Sequence, residues 1–154
     1  MTFANQLVVL SSRAGPEPSM RRLLQLVRVV DGLIVRDAAA LTFVDGEVTV
    51  TRPLDDWRDF VPLGGDWWHA LARAVADSHD TSSHVLVDAG VSTSLLQEVG
   101  TALRRWSTAI AIVASAVDIG PIRTELSGEP FTGVIYGSLP ELAIRDLATL
   151  STRG

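Results

Sequence analysis

Apolar residues recur along this chain with two periods, and the switches between them mark the elements. Gln6–Ser11 is a continuous, β-branched apolar run, which predicts a buried strand. After the proline-containing loop Ser12–Ser19 the period lengthens to that of a helix. Met20, Leu23, Leu24, Val27 and Val30 make one stripe, with Arg21, Gln25 and Arg28 opposite. Asp31-Gly32 ends that helix, since glycine suits a helix C-terminus. A second short apolar run covers Leu33–Arg36. Asp45-Gly46 then sits between two alternating segments, ALTFV and EVTVT, and predicts a two-residue hairpin turn. Its register pairs Phe43 with Val48 and Leu41 with Val50 on one face, and Thr42 with Thr49 on the other.

The second half repeats the alternation. Arg52–Gly65 is a loop, and Asp66 is placed to cap a helix from Trp67 to about Asp77 with Trp68, Leu71, Ala72 and Val75 inward. His84–Ala89 and Ala109–Ala114 read as strands buried on both faces. Between them, Ser92–Ser94 can cap a helix that continues to Trp106 on Leu96, Val99 and Leu103. A short helix at Pro121–Leu126, a strand at Thr132–Gly137 and a last helix at Pro140–Leu150 follow. Strands alternating with helices predict an α/β domain with a mixed, mostly parallel sheet under helical cover. At 154 residues the prior is a single domain spanning 1–154.

Composition narrows the chemistry. The net charge of -5 argues against a phosphate-backbone binder, which would carry a basic patch, so no nucleic-acid partner is expected. No apolar stretch suits a leader or a membrane span, so a cytoplasmic location away from membranes is expected. Cysteine is absent, which removes disulfides, thiol catalysis and cysteine-ligated zinc. Lysine is absent too, and all thirteen basic residues are arginine. A Walker-type phosphate loop and a pyridoxal Schiff base both need a lysine. No cofactor is expected.

From Ala38 onward the order of elements resembles the STAS domain, the fold of bacterial anti-sigma-factor antagonists. HVLVDAG resembles that family's central strand, and AIAIVAS the strand after it. PIRTELSG followed by FTGVIYGSLPELAI resembles its ending. The resemblance implies an STAS-like core over residues 38–154, with 1–37 as an added strand-helix extension, and places His84–Ala89 beside Ala109–Ala114 in one sheet. It also implies a phospho-acceptor serine at the start of the helix after the central strand. Ser92 is the match and Ser94 the second choice, although Val91-Ser92-Thr93-Ser94 lacks the family's aspartate and glycine. A kinase-type anti-sigma factor would be the implied partner. The alternative for both serines is plain helix capping.

Other candidates come from the residues alone. Ser11, Ser12, Arg13 and Gly15 follow the first strand, where open α/β sheets hold ligands, and could cradle an anion. Pro16 and Pro18 count against this, having no N–H to donate. Trp57, Trp67 and Trp68 are candidate partner contacts, because adjacent helical residues point about 100° apart and one of the latter pair should lie at an edge or outside; the alternative is two core residues packed at its edge. His79 and His84, with Asp77 and Asp80, have no defined zinc spacing. His69 sits one turn past Asp66 and reads as support for the cap. Asp55, Asp56, Asp59 and Asp66 alternate with Arg52 and Arg58, which reads as local neutralisation rather than a metal site. No nucleophile elbow is present. The expectation is a non-catalytic protein-binding or regulatory module, with control by phosphorylation near Ser92. The alternatives are a small-ligand- or anion-binding domain or small enzyme using the loop after the first strand, and an immunity-type or homo-oligomer-forming interaction protein.

Overall fold

The first apolar run forms strand β1 (Asn5–Ser12), buried from Leu7 onward on both faces. In the computed structural model, residues 5–27, 33–51, 65–76, 90–116 and 131–140 are described. After β1 come helix α1 (Pro16–Val27), the hairpin β2 (Leu33–Val44) and β3 (Glu47–Thr51), helices α2 (Gly65–Ala76) and α3 (Thr93–Trp106), and strands β4 (Thr108–Ala116) and β5 (Phe131–Leu139). The strands make one sheet in the order β3-β2-β4-β1-β5.

Every neighbouring pair in that sheet is antiparallel. This corrects the mostly parallel sheet expected from the alternation of elements. β1 and β2 do point the same way, joined by α1, as a helical crossover requires. β4 is inserted between them and runs against both. β3 and β4 are likewise parallel in direction but separated by β2, and β4 and β5 are separated by β1. Each crossover therefore skips one position, in the manner of a split βαβ unit. Alternation along the chain reports direction, not adjacency.

The N-terminal strand is consequently not an appendage to a core beginning at residue 38. β1 lies inside the sheet, bonded to β4 over Asn5–Ser12 and to β5 on its other side. Both edges of β4 are filled, by β1 and β2, so Ala109–Ala114 has no edge left for a parallel neighbour. His84–Ala89, Pro121–Leu126 and the residues after Pro140 lie outside the described residues.

Apolar runs without alternation arise here from two-sided cover rather than strand direction. One face packs Val8, Leu10, Ala38, Ala40, Ile110 and Ile112 beneath Met20 and Leu23 of α1. The other packs Leu7, Val9, Ala39, Leu41, Ala109, Ala111 and Val113 beneath α2 and α3. The alanines in the middle of β2 and β4 let helices approach closely. Gly137 of β5 does the same for α3, since a Cβ there would lie 2.7 Å from Leu95 Cδ2.

The hairpin follows its predicted register, with Leu41 opposite Val50, Thr42 opposite Thr49 and Phe43 opposite Val48. Asp45 and Gly46 take φ of 54° and 80°, the positive values that an Asp-Gly turn of this length tolerates. The run Leu33–Arg36 is not a separate strand but the start of β2, joined to it through a bulge between Val35 and Asp37. α1 begins at Pro16 rather than Met20, because both prolines fall in the first turn, where a missing N–H breaks no helical bond. α2 begins at Gly65, one residue before Asp66.

Candidate interaction surface

The loop from β1 to α1 is closed by its own hydroxyls. The backbone N–H of Ala14 donates to Ser12 Oγ at 3.1 Å. Ser12 Oγ lies 2.6 Å from Ser19 Oγ, and Ser19 Oγ donates to the carbonyl of Gly15 at 2.7 Å. Ser12 and Ser19 are wholly buried. Ser11, also buried, pairs with Thr132 Oγ1 at 2.8 Å and fastens the loop to β5. The four anion-binding candidates thus divide, and the segment is a connecting loop closed on itself. Ser11 and Ser12 are turned into the fold, whereas Arg13 and Gly15 are exposed. Glu17 in the first turn of α1 adds negative charge where an anion would sit.

Arg13 instead meets α3. Its guanidinium carbon lies 5.5 Å from the centre of the Trp106 ring, and that of Arg105 lies 5.0 Å from the same centre. Trp106 is half-buried in the last turn of α3 and Arg105 is exposed. Both distances fall within cation–π range. Arg104, one residue earlier, is used differently. It donates to the carbonyls of Gly100 at 3.2 Å and Ala76 at 2.7 Å and lies 5.3 Å from the Phe43 ring, tying α3 to the end of α2 and to the hairpin. Positive side chains also suit the carbonyl end of a helix, where the macrodipole is negative.

The outer face of α3 continues from that stack. Leu95, Leu96, Val99 and Leu103 are buried, which leaves Ser94, Gln97, Glu98, Thr101 and Arg105 as a stripe on the opposite side. These residues, with Trp106 and with Ile135 of β5, line a shallow groove of about 650 Å³. Ser92 is the N-cap of α3. It is exposed, and its Oγ accepts the backbone N–H of Leu95 at 3.4 Å. The capping alternative for Ser92 is therefore present, and Ser94 stands in the wall of the groove.

Trp67 and Trp68 are both fully buried, so they are core residues and neither is a partner contact at the surface. Helix geometry separates them by about 100°, but the buried arc of α2 is wider than a single stripe. Trp67, Trp68, Leu71, Ala72, Ala74 and Val75 are all buried, because α2 packs against both β3 and α3. The two indoles meet edge to face, 4.9 Å between centres and 80° between planes. Trp57 lies outside the described residues, as do His79, His84, Asp77, Asp80, Asp55, Asp56 and Asp59. His69 is exposed on α2. Among the described residues no group of acidic or histidine side chains could hold a metal ion, and no helix is long and apolar enough to cross a membrane.

Two positions escaped the sequence reading. Asp37 is buried in β2 and accepts hydrogen bonds from Trp68 Nε1–H and from the backbone N–H of Ala38, both at 2.8 Å. Strand alternation puts Asp37 in phase with Ala39 and Leu41, on the face beneath α2, and the bulge lies just before it. An aspartate inside an apolar strand was the available signal. Trp106 falls in line with Leu96, Val99 and Leu103 by spacing and so reads as core, and nothing local shows that Arg13 will lie against it.

Comparison with known proteins finds no family model, no curated protein and no solved structure that matches this chain.

Proposed function

We propose that this chain is a non-catalytic protein-binding module whose contact surface is the outer face of α3. The observation that carries this reading is Trp106, half-buried in the lining of the groove, with the guanidinium carbons of Arg13 and Arg105 at 5.5 and 5.0 Å from its ring centre. Tryptophan and arginine dominate the energetics of protein interfaces, and a partly covered indole supplies apolar area at little entropic cost. The groove is shallow and open along a helix, a shape that suits another polypeptide better than an enclosed small molecule.

Ser92 and Ser94 give the surface a means of control. Both are exposed at the N-terminal end of α3, and Ser94 lines the groove. Phosphorylation of either would add about -2 charge beside the partner. A helix N-terminus tolerates that charge locally, so the modification would change binding while leaving the fold in place.

The test is capture of partners from the native host by the intact chain, compared with Trp106→Ala and Arg105→Ala variants of matched thermal stability. The reading expects at least one protein retained by the unaltered chain and lost from both variants. Retention of every captured protein by both variants would place the interface elsewhere and overturn it.

A further inference from the structure

We infer that the edge of β5 is an assembly surface, and that its occupant is β5 of a second copy of this chain, paired antiparallel about a two-fold axis at Ile135. This goes beyond the α3 reading and does not depend on it, although Ile135 also lines the α3 groove. Among the described residues β5 ends the sheet, with β1 on its inner side. An edge strand turns alternate N–H and C=O groups outward, and such edges are normally blunted by charge, proline or shortness. β3, the opposite edge, is five residues long and begins with Glu47. β5 is nine residues long, FTGVIYGSL, with no charged residue and no proline. It also presents Tyr136, 42% exposed although it lies within the strand. Tyr136 shares its face with Val134, on the side of α1, which packs chiefly on β2 and β4.

The order of residues along this edge says which strand fits it. On either side of Ile135 the two halves of β5 match: Val134 with Tyr136, Gly133 with Gly137, Thr132 with Ser138. A dyad at Ile135 sets each of these opposite its counterpart in the copy. The facing pairs are then β-branched with aromatic, glycine with glycine, and hydroxyl with hydroxyl. The first and last are among the pairs that stabilise adjacent antiparallel strands. Thr132 Oγ1 already meets Ser11 Oγ, and as a hydroxyl it can both donate and accept. The glycines flank Ile135 on its own face, so the two isoleucines meet without crowding from diagonal neighbours. Moving the dyad one residue either way sets Ile135 against a glycine and loses the match. Two copies related by a dyad pair a shared strand antiparallel. Every neighbouring pair in this sheet is already antiparallel, so the copy continues the existing pattern.

The experiment is sedimentation analysis of the full chain together with disulfide trapping, which is clean because the chain has no cysteine of its own. The expected result is a reversible dimer for the unaltered chain. Tyr136→Lys should raise its dissociation constant about tenfold or more at an unchanged melting temperature, through loss of the symmetric Tyr136–Val134 pairs and a charge on the edge. Under mild oxidation Ile135→Cys should form a covalent dimer by itself, since facing residues of paired strands lie within disulfide reach. Ser138→Cys should not, because its two copies would lie about 20 Å apart along the strands, but it should cross-link to Thr132→Cys. A monomeric unaltered chain at millimolar concentration overturns the inference, as does a dimer unmoved by Tyr136→Lys. So does a Ser138→Cys chain that traps itself as fast as Ile135→Cys. Trp106→Ala should leave the dimer intact, which separates this contact from the α3 surface. A dimer that dissociates on Trp106→Ala but not on Tyr136→Lys places the contact on α3 and sinks the β5 assignment.

Discussion

At the scale of single residues, the buried carboxyl group of Asp37 ties α2 to the sheet through Trp68. A buried charge is tolerated when its acceptor sites are filled, and here the Trp68 indole and the Ala38 amide fill two of them. Replacing Trp68 by phenylalanine keeps an aromatic ring but removes the donor. Urea denaturation should show a loss of about 1–3 kcal/mol, the usual range for losing a hydrogen bond to a buried carboxyl group. A Trp68→Phe variant as stable as the parent would mean that this bond contributes nothing. Gly137 offers a steric counterpart. Its missing Cβ is what lets Leu95 approach, so Gly137→Ala should destabilise by about 1–3 kcal/mol through overpacking. Shortening the neighbour should recover much of this. The double variant Gly137→Ala with Leu95→Ala is expected to lose less than the two single losses added together, and strict additivity would show that the contact is not felt.

At the scale of elements, α3 carries both the packing and the proposed surface, and its two ends are capped differently. Ser92 Oγ holds the N-terminus, and Ser107, in the left-handed conformation at φ 69°, returns its N–H to the carbonyl of Leu103. Ser92→Ala should cost about 0.5–1 kcal/mol in thermal or urea melts, the lower part of the range for lost caps, because the hydrogen bond is long. Ser92→Asp should restore most of it, since aspartate caps as well as serine does. Failure of the aspartate to rescue would show that Ser92 is not acting as a cap. The elements themselves were mostly legible in the sequence. Leu96, Val99 and Leu103 announce α3, and the Asp45-Gly46 turn announces β2–β3 in the correct register, because both signals are local. The width of the buried arc on α2 was not legible, for it depends on α2 packing against both β3 and α3. The union of Leu33–Arg36 with the hairpin strand was hidden by a bulge, which breaks the alternation on which strand reading depends.

At the scale of the whole molecule, the decisive event is the insertion of β1 between β4 and β5. It separates the like-pointing β4 and β5, as β4 separates β1 from β2 and β2 separates β3 from β4, so all hydrogen-bonded neighbours are antiparallel. No short-range pattern encodes this, because the pairing joins residues more than a hundred positions apart, such as Val8 with Ile112 and Tyr136. The same insertion brings the β1–α1 loop to the end of α3, and so sets Arg13 against Trp106. The candidate surface was therefore unreadable from sequence for the reason that the strand order was. Ser92 and Ser94 could be named in advance because capping is local, whereas Trp106 required the fold.

The placement of β1 is tested most directly by a nuclear Overhauser map of the labelled chain. Backbone contacts should join Val8–Leu10 to Ile110–Ile112 on one side and to Val134–Tyr136 on the other, and the Trp106 ring should show contacts to the Arg13 side chain. Contacts pairing Ala109–Ala114 with a parallel neighbour would contradict the sheet order, and a Trp106 ring with no contact to Arg13 would contradict the surface built upon it.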